Sequence, residues 1–353
     1  MESIHDNVKY DIAIIIPVYN ASSWLPDCLR SIACQIKNKL KVELSVYDDG
    51  STDESLAVIE KWKPVLEAEG FKVLISGHSG PPKGVGFAKN QSIQQSSGKY
   101  LCFQDSDDEM KPGRLTLQYN ASLEHPDAII GSKFERDPPD STLRYTYWAN
   151  SLTQEQLNQQ VLTSHGPTVI MPTWFCSRDL FNRVGEFDEK GKGTPEDLIF
   201  FYRHLDLKGK IFRVDEVLLV YRYHPLQTTF SIDEKVIWDL RLKRLVKYFL
   251  GKWDNFTIWN AGKQGRRLYR SLPEEYRSQV TSFCDVDEKK IKQGNYIYEN
   301  SNLRPKPRVP IVHFTTAKPP FVICVKLDLT KGEFEKNLHS LNLLENVDYV
   351  MFS

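Results

Sequence analysis

No run in the 353-residue chain approaches the ~18–20 apolar residues of a membrane span. The longest early run, Ile12 to Val18, follows Asp6, Lys9 and Asp11 rather than a basic start, which argues against a secretory signal. Cysteine is sparse: six residues, none spaced C-x-x-C and most among apolar neighbours. Buried free thiols in a reducing compartment are therefore expected, and with them a cytoplasmic protein that touches no membrane and needs no obligate protein partner. Net charge is also missing, since Lys+Arg is 46 and Asp+Glu is 46. That excludes a globally basic nucleic-acid binder but leaves room for a local basic patch. Repeats and low-complexity tracts are absent too. With 41% hydrophobic and 26% charged residues, the composition is globular rather than disordered, collagen-like or coiled-coil.

The length suggests two domains. Charge is unevenly spread: 16 Lys+Arg against 12 Asp+Glu in 251–353, leaving 30 against 34 in 1–250. Ile12–Val18 reads as a strand buried on both faces. Trp24, Leu25, Cys28, Leu29 and Ile32 recur at helical spacing, Val42, Leu44 and Val46 alternate, and Ser51 with Glu54 forms a capping box. Lys72–Ile75 and Tyr100–Phe103 are further strands around a helix over Phe87–Gln95. Such alternation predicts a doubly wound α/β domain, which binds ligands beyond the carboxyl ends of its strands. Residues 132–173 read as polar and irregular, with a short helix at 154–162. A boundary falls at Gly251–Asp254, giving domains of 1–250 and 251–353.

Acidic residues gather where strands should end: Asp48-Asp49-Gly50-Ser51 after the second, Asp105-Ser106-Asp107-Asp108 after the fourth. Three carboxylates in four residues repel one another unless a cation neutralises them, and an all-oxygen set suits Mg²⁺ or Mn²⁺. The plainer reading of D-x-D-D is a solvated turn, but its place directly after a buried strand favours the metal. Farther on, Glu196-Asp197 opens a helix, where acidic residues also suit the dipole. His224, after the strand Val217–Val220, is a possible further ligand.

These motifs, taken in order, resemble the family 2 inverting nucleotide-sugar glycosyltransferases over residues 11–230. The matching runs are Pro17-Val18-Tyr19-Asn20, Asp48 through Asp53, Gly84 through Ala88-Lys89-Asn90, Asp105 through Asp108, and Glu196-Asp197. The resemblance implies a GT-A Rossmann-like domain that takes a UDP-sugar donor. It places Pro17, Tyr19, Asn20, Asp48, Asp49, Lys89, Asn90, Asp105 and Ser106 around the nucleotide sugar. It also makes Asp105, Asp107 and His224 the Mn²⁺ or Mg²⁺ contacts and Asp197, beside Glu196, the general base. Lys89 stands where the family usually has arginine; it keeps the charge but loses the bidentate fork. Residues 166–178 and 256–269 further resemble a tRNA-directed subgroup, implying UDP-galactose as donor and queuosine-modified tyrosine tRNA as acceptor. A UDP-N-acetylglucosamine-dependent enzyme on a glycan or protein, or a non-catalytic UDP-sugar-binding protein, are the competing expectations.

The C-terminal third predicts a smaller α/β module. Ile258 through Gly265 resembles a dinucleotide fingerprint with Asn260 in place of the first glycine, and a degenerate Rossmann-like fold used structurally is the expectation. Lys263, Arg266, Arg267 and Arg270, spaced by three and four, are expected on one broad helix face that contacts tRNA phosphates. Trp174 and Phe175 are the expected contacts to the acceptor nucleoside.

Overall fold

The computed structural model describes residues 9–163, 166–326 and 330–352. They form two compact units: 1–158 with 167–233, and 159–166 with 234–353. The first begins with β1 (Ile12–Val18), α1 (Leu25–Ala33), β2 (Val42–Asp48), α2 (Ser55–Ala68), β3 (Lys72–Gly77), α3 (Val85–Gln95) and β4 (Tyr100–Phe103). It continues through β5 (Glu109–Met110), α4 (Arg114–Glu124), β6 (Ala128–Asp137), α5 (Leu143–Ser151) and α6 (Gln154–Gln159). It ends with β7 (Phe175–Ser177), α7 (Arg178–Val184), α8 (Glu196–Asp206) and β8 (Lys210–Arg222).

Every residue of β1 and β2 is buried, as their apolar runs require of strands covered on both faces. Helix α1 turns Leu25, Cys28, Leu29 and Ile32 into the same core. The sheet runs β3-β2-β1-β4-β7-β6-β8-β5. The first four strands are parallel, and β7 and β5 pair antiparallel. The expected capping box does not form: Ser51 Oγ accepts from Asn20 N at 2.9 Å instead, tying the end of β1 to the turn after β2. Nor is 132–173 irregular throughout. Phe134 of β6 packs with Tyr145, Trp148 and Ala149 of α5 and with Ile170 and Leu219, so aromatics scattered in a polar stretch supply a local core.

The second unit holds α9 (Glu234–Tyr248), β9 (Phe256–Trp259), α10 (Lys263–Ser271), α11 (Glu274–Ser278), β10 (Val280–Asp285), α12 (Glu288–Lys292) and β11 (Asn295–Ile297). It closes with β12 (Arg308–His313), β13 (Phe321–Ile323), α13 (Glu333–His339) and β14 (Tyr349–Met351). Its sheet, β11-β12-β10-β9-β13-β14, is parallel except for β11. The division at 233/234 lies one helix before the expected 250. Trp238 of α9 meets Phe352 edge-on at 5.3 Å, and buried Arg241 donates Nε to Leu162 O at 2.8 Å, so α9 packs with the second unit. Five of the six cysteines are buried and all are unpaired. No helix among the described residues is long and apolar enough to cross a membrane.

Candidate active site

The carboxyl ends of β2 and β4 and the start of α8 supply the site. Asp48 closes β2 and is buried, with Oδ1 lacking any partner. Pro17 lies buried within β1, and Tyr19 beyond it is 47% exposed. Asn20 adopts φ 48° and accepts from Thr52 N at 2.8 Å, holding the Asp48–Ser51 turn against β1. Asp49 accepts from Lys83 N at 3.0 Å and Gly84 N at 2.7 Å, which fixes the entry to α3. Gly84 has φ 109°, and a Cβ there would meet Gly191 Cα at 2.9 Å, so only glycine fits this approach.

After β4, carboxylate oxygens of Asp105, Asp107 and Asp108 lie within 4.8 Å of one another. Asp108 is fully buried; its Oδ1 accepts from Arg222 N at 2.9 Å and its Oδ2 has no partner. Ser106, between them, is half-buried. His224 Nε2 sits 2.9 Å from Asp107 Oδ2, and its ring stacks on Trp24 at 4.7 Å. His224 Nδ1 is buried without a partner.

Lys89 joins this cluster to α8. Its Nζ lies 2.8 Å from Glu196 Oε1 and 3.1 Å from Met171 Sδ. Burial alone would lower its pKa, but Glu196, Asp105 and Asp197 outweigh that and hold it above the ordinary lysine value. Burial pushes Asp105 up to about 6, with Asp107 and Glu196 adding and Lys89 opposing. Asp197 is pushed up to about 7, first by burial and then by Glu196, again against Lys89. Asp108 is raised well above the carboxylate range by burial and by its two neighbours. Three crowded hard oxygen donors, with Asp105 and Asp108 pushed upward by burial and by neighbouring carboxylates, and a buried Asp108 oxygen without a partner fit a divalent cation.

The structure corrects several expectations. Asn90 spends its amide on Phe187 O, Glu189 and Phe187 N, at 3.0, 2.8 and 3.0 Å, so it clamps the 187–189 loop. Lys89 is sequestered by Glu196. Trp174 and Phe175 are core residues, 1% and 0% exposed, and Trp174 donates Nε1 to Val169 O at 2.9 Å. Neither can reach an acceptor; a run of large apolar residues carried no sign of which way it faced. In the second unit, Arg267 lies 3.9 Å over the Trp238 ring and pairs with Glu234, while Arg266 lies beside Tyr296 at 5.2 Å. Lys263 and Arg270 alone of the four are exposed.

Three arginines escaped the sequence reading. Arg114 is fully buried and donates to Phe103 O, Gln104 and Pro172 O, fixing the end of β4. Arg222 pairs with Glu109 at 2.8 Å and Asp137 at 3.2 Å, bracing the strand that carries His224. Arg136, on β6, is the third. Its place two residues before His224 could have flagged Arg222; nothing local marks the other two.

Residues 13–185 match the model of glycosyl transferase family 2. The glycosyltransferase GlyG of Streptococcus pneumoniae is 26% identical over 235 residues, 63% of this chain and 75% of that protein. The poly(ribitol-phosphate) beta-N-acetylglucosaminyltransferase TarS of Staphylococcus aureus is 30% identical over 201 residues, 55% of this chain but only 32% of its own length. Residues 1–349 of S. aureus TarS, solved with UDP-GlcNAc, superpose with a TM-score of 0.56 at 16% identity, covering 85% of this chain and 99% of that one.

Proposed function

We propose, from the premise that residues 13–185 form a family 2 glycosyltransferase domain on a GT-A fold, that this chain transfers galactose from UDP-galactose to the cyclopentenediol of queuosine in tyrosine tRNA. The coarser part, glycosyl transfer from a nucleotide sugar, follows from the family. The observation that carries the reading to this chain's own residues is the Asp105–Asp107–Asp108 cluster joined through Lys89 to Glu196 and Asp197.

Asp197 is the general base in this reading. A carboxylate with a pKa of about 7 is half-ionised at neutral pH and still basic enough to take the proton of an attacking hydroxyl. Burial and then Glu196 raise that value against Lys89, and the Lys89–Glu196 pair holds the start of α8. Tyr19, just beyond β1, and Asp48, at the end of β2, flank the nucleoside in this reading. Asp105 and Asp107 would hold Mn²⁺ or Mg²⁺, with His224 orienting or joining Asp107; the ion supplies Lewis-acid neutralisation of the departing diphosphate. Attack on the face opposite the leaving group gives inversion at the anomeric carbon.

The galactose and tRNA assignments rest on the resemblance over 166–178 and 256–269 and on the basic balance of 251–353. UDP-N-acetylglucosamine as donor is the reading favoured instead by the activity in the name of TarS. One experiment separates them: queuosine-containing tRNA incubated with UDP-galactose or UDP-N-acetylglucosamine, read by the mass of the modified nucleoside. A hexose increment supports the proposal, and a turnover of either donor only on non-tRNA acceptors would sink it.

A further inference from the structure

Arg136 is 9% exposed, yet its Nε and Nη1 are buried without a hydrogen-bond partner. Among the described residues it makes no ion pair. What surrounds it is aromatic: the guanidinium carbon lies 3.9 Å from the Tyr221 ring centroid, 5.5 Å from Phe134, 5.7 Å from Tyr145 and 5.9 Å from Tyr223. Ring faces stabilise the charge but accept no strong hydrogen bond. Arginine cannot escape by losing its proton, so the geometry leaves a permanent, desolvated cation with free donors.

Its position ties it to the site. Arg136 of β6 is the register partner of Tyr221 of β8, and Glu109 of β5 is the partner of Val220, so Asp108 falls one step further along the same row. The Arg136 charge opposes the upward push on Asp108, and Tyr145 feels both Arg136 and Asp197. The guanidinium thus lies on the same row as Asp108 of the acidic cluster without being paired to it. A neutral hydroxyl would satisfy its N–H groups but not its charge; a phosphate oxygen satisfies both.

We infer that Arg136 is a substrate-contacting residue whose guanidinium, packed among Tyr221, Phe134, Tyr145 and Tyr223, receives a phosphate group. The inference rests on the glycosyl-transfer reading above. Two phosphates are available to it, that of the leaving nucleoside diphosphate and that of a phosphate-bearing acceptor, and the test distinguishes them.

The full-length chain and its Arg136→Gln and Arg136→Lys variants are compared for UDP affinity by calorimetry, for donor and acceptor KM, and for melting temperature. If the leaving diphosphate is the ligand, Arg136→Gln weakens UDP binding by about 10- to 100-fold, and Arg136→Lys by less, because the ammonium keeps the charge. If the acceptor phosphate is the ligand, UDP affinity is unchanged and acceptor KM rises by a similar factor. Either result supports the inference and names the source. Arg136→Lys keeps both stem and charge among the rings, so it carries the test should Arg136→Gln not fold. Should both constants stay within about twofold in the folded variants while the melting temperature falls, Arg136 is only a packing element and the inference is overturned. UDP binding needs no acceptor. Failure of the unmodified chain to bind UDP therefore sinks the functional reading, whereas wild-type binding that Arg136→Gln leaves intact, with acceptor KM also unmoved, sinks this inference alone.

Discussion

Both units place a largely parallel sheet beneath a turn that opens a helix, yet they treat the polar side chains of that turn differently. In the second unit the two polar side chains of the turn, Asn260 and Asp285, are spent internally. Asn260, at φ 132°, accepts from Gly262 N at 2.6 Å and donates to Cys324 O at 2.9 Å. Asp285, at the position a ribose-binding carboxylate would hold, accepts from Ala261 N and Lys290 at 2.9 Å each and from two further backbone N–H groups. In the first unit, Asp48 Oδ1, Asp108 Oδ2, His224 Nδ1 and two Arg136 nitrogens are buried and unpartnered. Polar groups satisfied by their own chain stabilise a fold; those left over await a ligand. The contrast holds for these turns alone, since Arg266 Nε on α10 and Trp238 Nε1 on α9 are also buried without a partner.

The comparison breaks most sharply at Asp197. Asp197→Asn should lower turnover by about 10²–10⁴-fold while UDP affinity, measured by calorimetry, stays within a few-fold. Near-normal turnover would make Asp197 merely part of the helix start. Wild-type turnover should climb with pH and level off above about 7, where the base is ionised. Stability should run the other way. Between the ordinary aspartate value of 3.8 and the folded value of about 7, the native state binds more protons than the unfolded chain, so stability falls as pH rises through that window. Asp197→Asn, uncharged throughout, should therefore melt higher than wild type at pH 8 and about equally near pH 4.

Asp107 comes next. Asp107→Ala, or excess chelator on the wild type, should reduce both turnover and UDP affinity, by at least about 10-fold for a lost ligand. Full activity in chelator would remove the cation from the account. A similar alanine at Asp285 should leave UDP affinity untouched, since its partners are all within the second unit.

The strands and acidic turns of the first unit were legible because both signals are local. A seven-residue apolar run and D-x-D-D need only their neighbours in sequence to be read. Asp105 and Asp107 were found that way and Asp197 only through the family motif; Glu196, Asp105 and Asp197 all act on the Lys89 charge. What could not be read was facing. Trp174 and Phe175 looked like stacking surfaces, but β7 pairs with β4 and β6 and buries both. Arg136 passed unnoticed, because its isolation from carboxylates exists only once β6 lies beside β8. Asn90 was assigned by motif position, whereas its partners at 187–189 are almost a hundred residues away.

At the second unit's turn, Gly265 tests the closed half of the comparison. A Cβ there would meet Asn260 O at 1.8 Å and Ile258 Cγ2 at 3.0 Å, and the first of these is backbone that cannot swing aside. Gly265→Ala should cost about 1–3 kcal/mol, read as a lower denaturant midpoint. UDP affinity should be unchanged in the fraction that remains folded. A fall in UDP affinity would mean that the second unit is not the self-contained structure its hydrogen bonds describe.

The smallest effect is expected from the exposed charges of α10. If this unit contacts tRNA, the phosphate-facing groups are those that no packing contact covers. Arg267 is packed on Trp238 and paired with Glu234, and Arg266 leans on Tyr296, so removing either would disturb packing as well as charge. Lys263 and Arg270 are exposed and seven residues apart, which puts them on one line along the helix. Phosphate contacts position without reading sequence, and each one lost removes about one unit from the slope of log affinity against log salt. Lys263→Ala with Arg270→Ala should therefore weaken binding to queuosine-containing and unmodified tRNA alike, by a few-fold at low salt, and flatten the slope by about two. UDP-sugar hydrolysis without acceptor should not move. An unchanged slope would show that α10 keeps its charges for solubility alone, and that tRNA, if it is the acceptor, is held by another surface.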